Sequence, residues 1–307
     1  MGCPMNTSVR IAPGLVLKNP VLSASGTFAY GEEFSRLFDL GLLGGIVTKG
    51  LSLNPKEGNP LPRVYETPCG LINAIGLENI GADAFISGKL PELRSFGTPV
   101  IVNFFGSSEE DYALLASRLD VNGIAAIEMN VSCPNVKQGG LEFGRDPEVL
   151  FRLTGAVRAR TGKPLIVKLT PMVSDIGAMA QAARAGGADA ITCANTIPAM
   201  AIDEHTWRPV LGNVTGGLSG PAIKPVALKL VWEVSKKVDI PIIASGGACT
   251  WNDCVQFLLA GASAVEIGSA SLRDPLCFTD IITGIEHYLE SRGLDSVTDL
   301  IGKLETP

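Results

Sequence analysis

Short apolar runs recur along the chain, each opened by Gly, Ala or Pro and closed by small or polar residues. They are Pro20-Val21-Leu22-Ser23, Gly44-Gly45-Ile46-Val47-Thr48-Lys49, Pro99-Val100-Ile101-Val102-Asn103 and Ala125-Ala126-Ile127-Glu128-Met129-Asn130. Four more follow: Pro164-Leu165-Ile166-Val167-Lys168, Ala188-Asp189-Ala190-Ile191-Thr192-Cys193, Pro241-Ile242-Ile243-Ala244-Ser245 and Ala264-Val265-Glu266-Ile267-Gly268. Runs of this length, continuous rather than alternating, read as strands buried on both faces of a parallel sheet. Amphipathic segments lie between them, among them 109–119, 146–160, 225–237 and 252–259, and these predict helices. Ahead of the first run, Val9 to Leu17 alternates about Pro13-Gly14 and predicts a small hairpin.

Eight buried strands alternating with helices predict an α/β fold, a (β/α)₈ TIM barrel, formed by residues 1–307 as a single domain. The competing doubly wound sheet would carry a Gly-rich phosphate turn after an early strand, and neither G-x-G-x-x-G nor a Walker A pattern is present. The long loops fall at 50–78, 131–146 and 196–224, after strands two, four and six, on the C-terminal face where barrels build their sites. Residues 291–307 read as a terminal extension.

A hydrophobic content of 46% supplies a large core, and 35 Gly with 20 Pro suits many tight turns. The net charge of −6, with no basic run, argues against a nucleic-acid partner. Residues 1–19 contain no apolar leader segment and no run of eighteen apolar residues occurs, so a soluble, cytoplasmic protein without a membrane anchor is expected. Seven cysteines at unrelated spacings, no C-x-x-C and two histidines predict reduced thiols, with no metal site or iron–sulfur cluster held by this chain alone.

The strand ends carry the chemistry. Lys49-Gly50, Asn103, Asn130, Lys168 and Ala194-Asn195-Thr196 all face one mouth of a barrel, together with Gly246-Gly247 and Gly268-Ser269. Neither lysine has a carboxylate neighbour in sequence, so both are expected to point into a site without acids, where they would bind an anion. Glycine pairs after the last two strands let the backbone approach a phosphate at a helix N-terminus, and as plain turn glycines they would do nothing more. Strand four runs into Asn130-Val131-Ser132-Cys133-Pro134-Asn135, two amides, a hydroxyl and a thiol, followed by a loop with Gly139-Gly140. A lone cysteine is most simply a packed core residue, but the flanking asparagines have no use in apolar packing. In the loop after strand two, Asn73-Ala74-Ile75-Gly76-Leu77 places a glycine where backbone N–H groups could meet a carboxylate.

Asn73-Ala74-Ile75-Gly76-Leu77, Asn130 to Asn135, Val167-Lys168-Leu169-Thr170-Pro171 and Leu218-Ser219-Gly220-Pro221 closely resemble dihydroorotate dehydrogenases, and the glycine pairs match that family's phosphate loops. The resemblance runs from about Val9 to the last helix. It implies an FMN-dependent barrel that oxidises dihydroorotate to orotate in pyrimidine synthesis. Cys133 then resembles the catalytic base that removes the C5 proton while C6 passes a hydride to the flavin. Lys168 resembles the flavin-contacting lysine, and Lys49 would contact flavin and substrate. Asn73, Asn130, Asn195 and Thr196, with the backbone of Ala74, Ile75, Gly76 and Leu77, resemble the orotate-binding set, which Asn135 would join. Ser25, Lys49, Gly50, Asn103, Asn130, Lys168, Ala194, Gly220, Gly246, Gly247, Gly268 and Ser269 would hold FMN.

A cysteine base without an N-terminal apolar extension looks like class 1, and the Asn73–Leu77 loop with Val102-Asn103 resembles the NAD-linked class 1B catalytic subunit. That implies a homodimer core in a heterotetramer, with FAD and a [2Fe–2S] cluster only on a partner subunit. The fumarate-linked class 1A enzyme and the flavin part of a dihydropyrimidine dehydrogenase are the near alternatives. A non-catalytic flavoprotein and a flavin-free sugar-phosphate barrel are the distant ones.

Overall fold

The computed structural model describes residues 5–132 and 143–307. Eight parallel strands form the central sheet: β1 (Val21–Ser23), β2 (Ile46–Val47), β3 (Val100–Phe104), β4 (Ala126–Asn130), β5 (Leu165–Lys168), β6 (Ala190–Cys193), β7 (Ile242–Ser245) and β8 (Ala264–Ile267). All eight coincide with the apolar runs. They are hydrogen-bonded in the order β1-β8-β7-β6-β5-β4-β3-β2. A bridge between Leu22 and Gly45 then brings β1 and β2 together and closes the barrel. Closure is possible because Gly44 and Gly45 have no side chain: a Cβ on Gly44 would lie 2.1 Å from the Asn19 carbonyl oxygen.

Among the described residues, four of the six long helices that wrap the barrel begin where a short polar side chain satisfies the first free N–H groups. α1 (Glu109–Arg118) is capped by Ser108 and α2 (Pro147–Arg158) by Asp146. α3 (Ile176–Ala185) is capped by Asp175, and Thr250 with Asp253 forms a capping box on α5 (Trp251–Leu259), which follows α4 (Lys224–Ser235). α6 (Cys277–Arg292) ends at Gly293 in the left-handed region. Each lays an apolar stripe on the strands, and the buried side chains merge into one extensive core. The hairpin Val9–Ala12 with Leu15–Leu17 is present, with Gly14 at its turn. The last residues return to the body: Val297 and Leu300 are buried, and Asn6 exchanges backbone hydrogen bonds with Asp295 and Val297.

One layer was not anticipated. The loops after β2 and β6 are not irregular but build a four-stranded antiparallel sheet in the order Ile197–Met200, Thr215–Ser219, Gly70–Asn73, Val64–Thr67. It stands at the C-terminal face and ties together segments more than a hundred residues apart, the amide of Asn73 donating to the Gly217 carbonyl at 3.1 Å across 144 positions.

Candidate active site at the C-terminal face

Side chains alternate along a strand, so Glu128 and Asn130 share one face of β4, as do Ala264 and Glu266 on β8. That face is the barrel interior. Asn103 is the register partner of Glu128, and Asn130 is the register partner of Lys168. The Asn103 amide donates to Glu128 Oε1 at 2.6 Å, and the Thr192 hydroxyl donates to Glu128 Oε2 at 2.6 Å. Lys168 Nζ lies 2.6 Å from Glu266 Oε2, 3.7 Å from Glu128 Oε1 and 3.2 Å from the Ser25 hydroxyl. All three charged residues are buried.

Burial alone would raise the Glu128 carboxyl, but the Lys168 charge, the neighbouring Glu266 carboxyl and the hydrogen bonds from Thr192 and Asn103 outweigh it and hold it below the ordinary carboxylate value. For Glu266, burial and the neighbouring Glu128 charge dominate and push it up to about 8. Burial opposes the Lys168 charge, yet the two acids more than restore it and raise the ammonium above its ordinary value. The two carboxyls are thus pushed in opposite directions, and Glu266 is the one that holds a proton more tightly. The expectation that both lysines face a site without acids is overturned. Lys168 is flanked by two carboxyl groups, Glu128 from the adjacent β4 and Glu266 from β8 across the barrel interior, and Lys49 Nζ lies 3.6 Å from Glu78, whose carboxylate also takes Arg63 at 3.1 Å.

Above this cluster the amides gather. Asn130 Oδ1 accepts from the Ser132 N–H at 3.2 Å and from its hydroxyl at 2.5 Å, and Asn195 Nδ2 approaches to 3.5 Å. Asn195 also donates to the Ser132 hydroxyl, and its own Oδ1 accepts from the Thr196 N–H at 2.8 Å. The Tyr112 hydroxyl fixes the Asn130 carbonyl at 2.7 Å. Thr196 abuts Gly217, which holds Asn73, so the small sheet carries Asn73 and Thr196 toward each other. Cys133, Asn135 and the loop with Gly139-Gly140 lie outside the described residues. Ala74 to Leu77 run over the segment 56–63: the Ala74 N–H donates to the Arg63 carbonyl and the Asn59 N–H to the Ile75 carbonyl. Gly76 and Leu77 both have positive φ, which turns the chain sharply there.

The remaining strand-end residues form a backbone cradle. Gly247, at φ +83°, packs so closely that a Cβ would meet Lys224 N at 2.6 Å and the Gly220 carbonyl at 2.7 Å. Gly220 in turn faces the Ser269 hydroxyl, and Gly268 faces Ala24, next to Ser25. Gly50 lies against the Asn103 amide, and the Ala194 N–H donates to the Ser245 carbonyl at 2.9 Å. Most of the described residues singled out in the sequence therefore meet at one end of the barrel. Lys49, with Glu78 and Arg63, borders them from the insertion after β2.

Comparison with known proteins decides the family. The dihydroorotate dehydrogenase family model matches residues 8–289. This chain belongs to the dihydroorotate dehydrogenase family. It is 56% identical over 299 residues to a protein of Trichlorobacter lovleyi named dihydroorotate dehydrogenase B (NAD(+)), catalytic subunit, covering 97% of this chain and 98% of that one. A protein of the same name from Geotalea uraniireducens is 53% identical and is matched over the full length of both chains. Among solved structures, the dihydroorotate dehydrogenase of Eimeria tenella in complex with ferulenol superposes with a TM-score of 0.80, covering 97% of this chain and 88% of that one. At 24% identity, that likeness establishes the fold.

Membership of the dihydroorotate dehydrogenase family makes the chain an FMN-dependent oxidoreductase that acts on dihydroorotate. The residues fit the cofactor. A buried, charged lysine at the mouth suits a flavin that gains negative charge, and a rim of glycines without room for side chains suits a phosphate. Among the described residues, no helix is long and apolar enough to cross a membrane.

Sequence reasoning missed Glu128, Glu266 and Thr192, because only the residues closing each strand were weighed. The signal was present: a charged residue within an apolar parallel strand is rarely left without a partner. Two of them, in phase with Asn130 and Lys168, mark one polar layer inside the barrel. Glu78 and Arg63 were missed for a different reason. Their approach to Lys49 depends on the small sheet, which fixes the path of the insertion.

Proposed function

We propose that this chain is the catalytic subunit of an NAD-linked dihydroorotate dehydrogenase, binding one FMN and oxidising dihydroorotate to orotate in the cytoplasm. The observation that carries the site assignment is the stacking of the Asn130–Ser132–Asn195 amide cluster directly on the Lys168 layer, through the Asn130–Lys168 register pair. FMN, when bound, accepts the hydride from C6 of dihydroorotate. Cys133 takes the C5 proton. A thiol of ordinary pKa near ~8.5 becomes a usable base where hydrogen bonds or a cation stabilise its thiolate. Asn73, Asn130, Asn195 and Thr196 hold the imide edges of the ring, each amide offering both a donor and an acceptor. Lys49 and the backbone of Ala74 to Leu77 take the substrate carboxylate. Lys168, kept charged by Glu128, stabilises negative charge on the flavin, while Ser25, Gly50, Asn103, Ala194, Gly220, Gly246, Gly247, Gly268 and Ser269 hold the rest of the cofactor.

The NAD linkage is supported by near-full-length likeness to the two named catalytic subunits. On this reading a homodimer of the chain assembles with an electron-transfer subunit that carries FAD and a [2Fe–2S] cluster. The test is steady-state oxidation of dihydroorotate by the chain alone and co-expressed with such a subunit. NAD reduction by the complex and not by the isolated chain is the expected result. Rapid turnover of the isolated chain with fumarate would replace the NAD-linked reading with the fumarate-linked one.

A further inference from the structure

The two carboxyl groups beside Lys168 are not equivalent. Both oxygens of Glu128 are hydrogen-bonded, one by Asn103 and one by Thr192. Glu266 offers Oε2 to Lys168, but its Oε1 is buried and receives no donor among the described residues. A buried carboxylate oxygen without a donor is costly, and a proton relieves the cost. The charged groups facing Glu266 are Glu128 from β4 and Lys168 from β5, with the Ser25 hydroxyl 3.2 Å from the ammonium. Fully ionised, the cluster carries a net negative charge under the site. With Glu266 protonated, it is neutral.

We propose that Glu266 is a positioning residue that acts through Lys168: protonated, it leaves the ammonium free to serve the flavin, and ionised, it claims that charge and makes flavin reduction harder. The inference rests on the proposed role of Lys168 beside FMN. Dihydroorotate loses a hydride to the flavin and a proton to the base, so the ring beside Lys168 gains one negative charge. That charge raises the proton affinity of Glu266 further. The Glu266 carboxyl already sits near 8, held there by burial and by Glu128. In more alkaline solution, reduction therefore draws one proton from solvent onto Glu266 Oε1, converting a carboxylate to a neutral acid and cancelling the charge added to the ring. At lower pH the proton is already in place and no uptake occurs.

The test is an anaerobic spectroelectrochemical titration of the FMN-loaded chain across about pH 6 to pH 10, wild type against Glu266→Gln. The wild-type midpoint potential is expected to steepen above about pH 8 by about 30 mV per pH unit, one extra proton per two electrons, a tenfold change being 29.6 mV. In Glu266→Gln this added slope is absent. Identical slopes in the two proteins would overturn the proposal. Should the variant not fold, the reduced-minus-oxidised infrared spectrum of the wild type above pH ~8 decides. A new protonated-carboxyl band that shifts in D₂O is expected, and its absence overturns the proposal. A wild-type chain that binds no flavin, or whose flavin dihydroorotate cannot reduce, would overturn the dehydrogenase reading and this proposal with it.

Discussion

Lys168 Nζ and Glu266 Oε2 meet at 2.6 Å inside the barrel although 98 positions separate them in the chain. The contact exists because β5 and β8 both belong to one closed sheet and both side chains point to its axis. It supplies what a charged lysine needs once removed from water, a partner at close range. The same contact limits how freely that charge can serve a ligand, and several outcomes depend on this balance.

Replacing Lys168 by Met leaves two buried carboxyl groups without their cation. Breaking a buried pair from one side costs about 3–5 kcal/mol, reduced here to the extent that both acids protonate. The urea midpoint is expected to fall, and the purified protein to retain little FMN. Unchanged flavin content at unchanged stability would remove Lys168 from the cofactor site.

The acid cluster also writes a pH dependence into stability. Glu266 is raised from an ordinary 4.5 to about 8, so its stabilising contribution is complete below about 4.5 and is lost as pH rises through about 8. Glu128 is lowered, so its contribution is lost only in acid, as pH falls below its ordinary value. Lys168 is raised, so its contribution fades only in strong alkali. Urea unfolding of wild type and Glu266→Gln should therefore diverge between about pH 5 and pH 8, the wild type losing stability relative to the variant. Parallel curves would contradict the assignment of the raised carboxyl to Glu266.

Asn195 touches Asn130, Ser132 and the Thr196 N–H, so it organises its neighbours, and on the proposed reading it also meets the substrate. Asn195→Ala should weaken orotate binding by about 1–3 kcal/mol, roughly five- to 150-fold in Kd, while FMN content stays at the wild-type level. Fluorescence or absorbance titration with orotate measures this. An unchanged Kd would take Asn195 out of the substrate site.

Gly247 tests the cradle. Its φ of +83° and the 2.6 Å approach of an added Cβ to Lys224 N leave no room for alanine. Gly247→Ala should cost about 1–3 kcal/mol and release FMN on gel filtration, the two effects arising from the same backbone shift. Full flavin retention would place the phosphate elsewhere.

The barrel was legible because strands buried on both faces read as uninterrupted apolar runs, as Pro99 to Asn103 and Pro241 to Ser245 do. The helices were legible as the amphipathic segments at 109–119, 146–160, 225–237 and 252–259. The antiparallel sheet was not, because its strands are short and partly exposed: Thr215-Gly216-Gly217-Leu218-Ser219 carries no alternation to read. Within the site, residues closing the strands stood out because polarity breaks there. Glu128 and Glu266 sit one step deeper, and their meaning depends on which strands face each other across the barrel interior. The meeting of side chains from β4, β5 and β8 is a property of closure and cannot be seen in any one segment.

Reduction of the flavin by dihydroorotate is the central claim. The decisive measurement is the anaerobic absorbance of the purified, FMN-loaded chain before and after dihydroorotate, with Cys133→Ser alongside. The wild type should bleach fully, and Cys133→Ser should bleach at least about 10²-fold more slowly at neutral pH with its flavin intact. A flavin that stays oxidised in the wild type would contradict the dehydrogenase reading, and equal rates in the two proteins would contradict the role of Cys133.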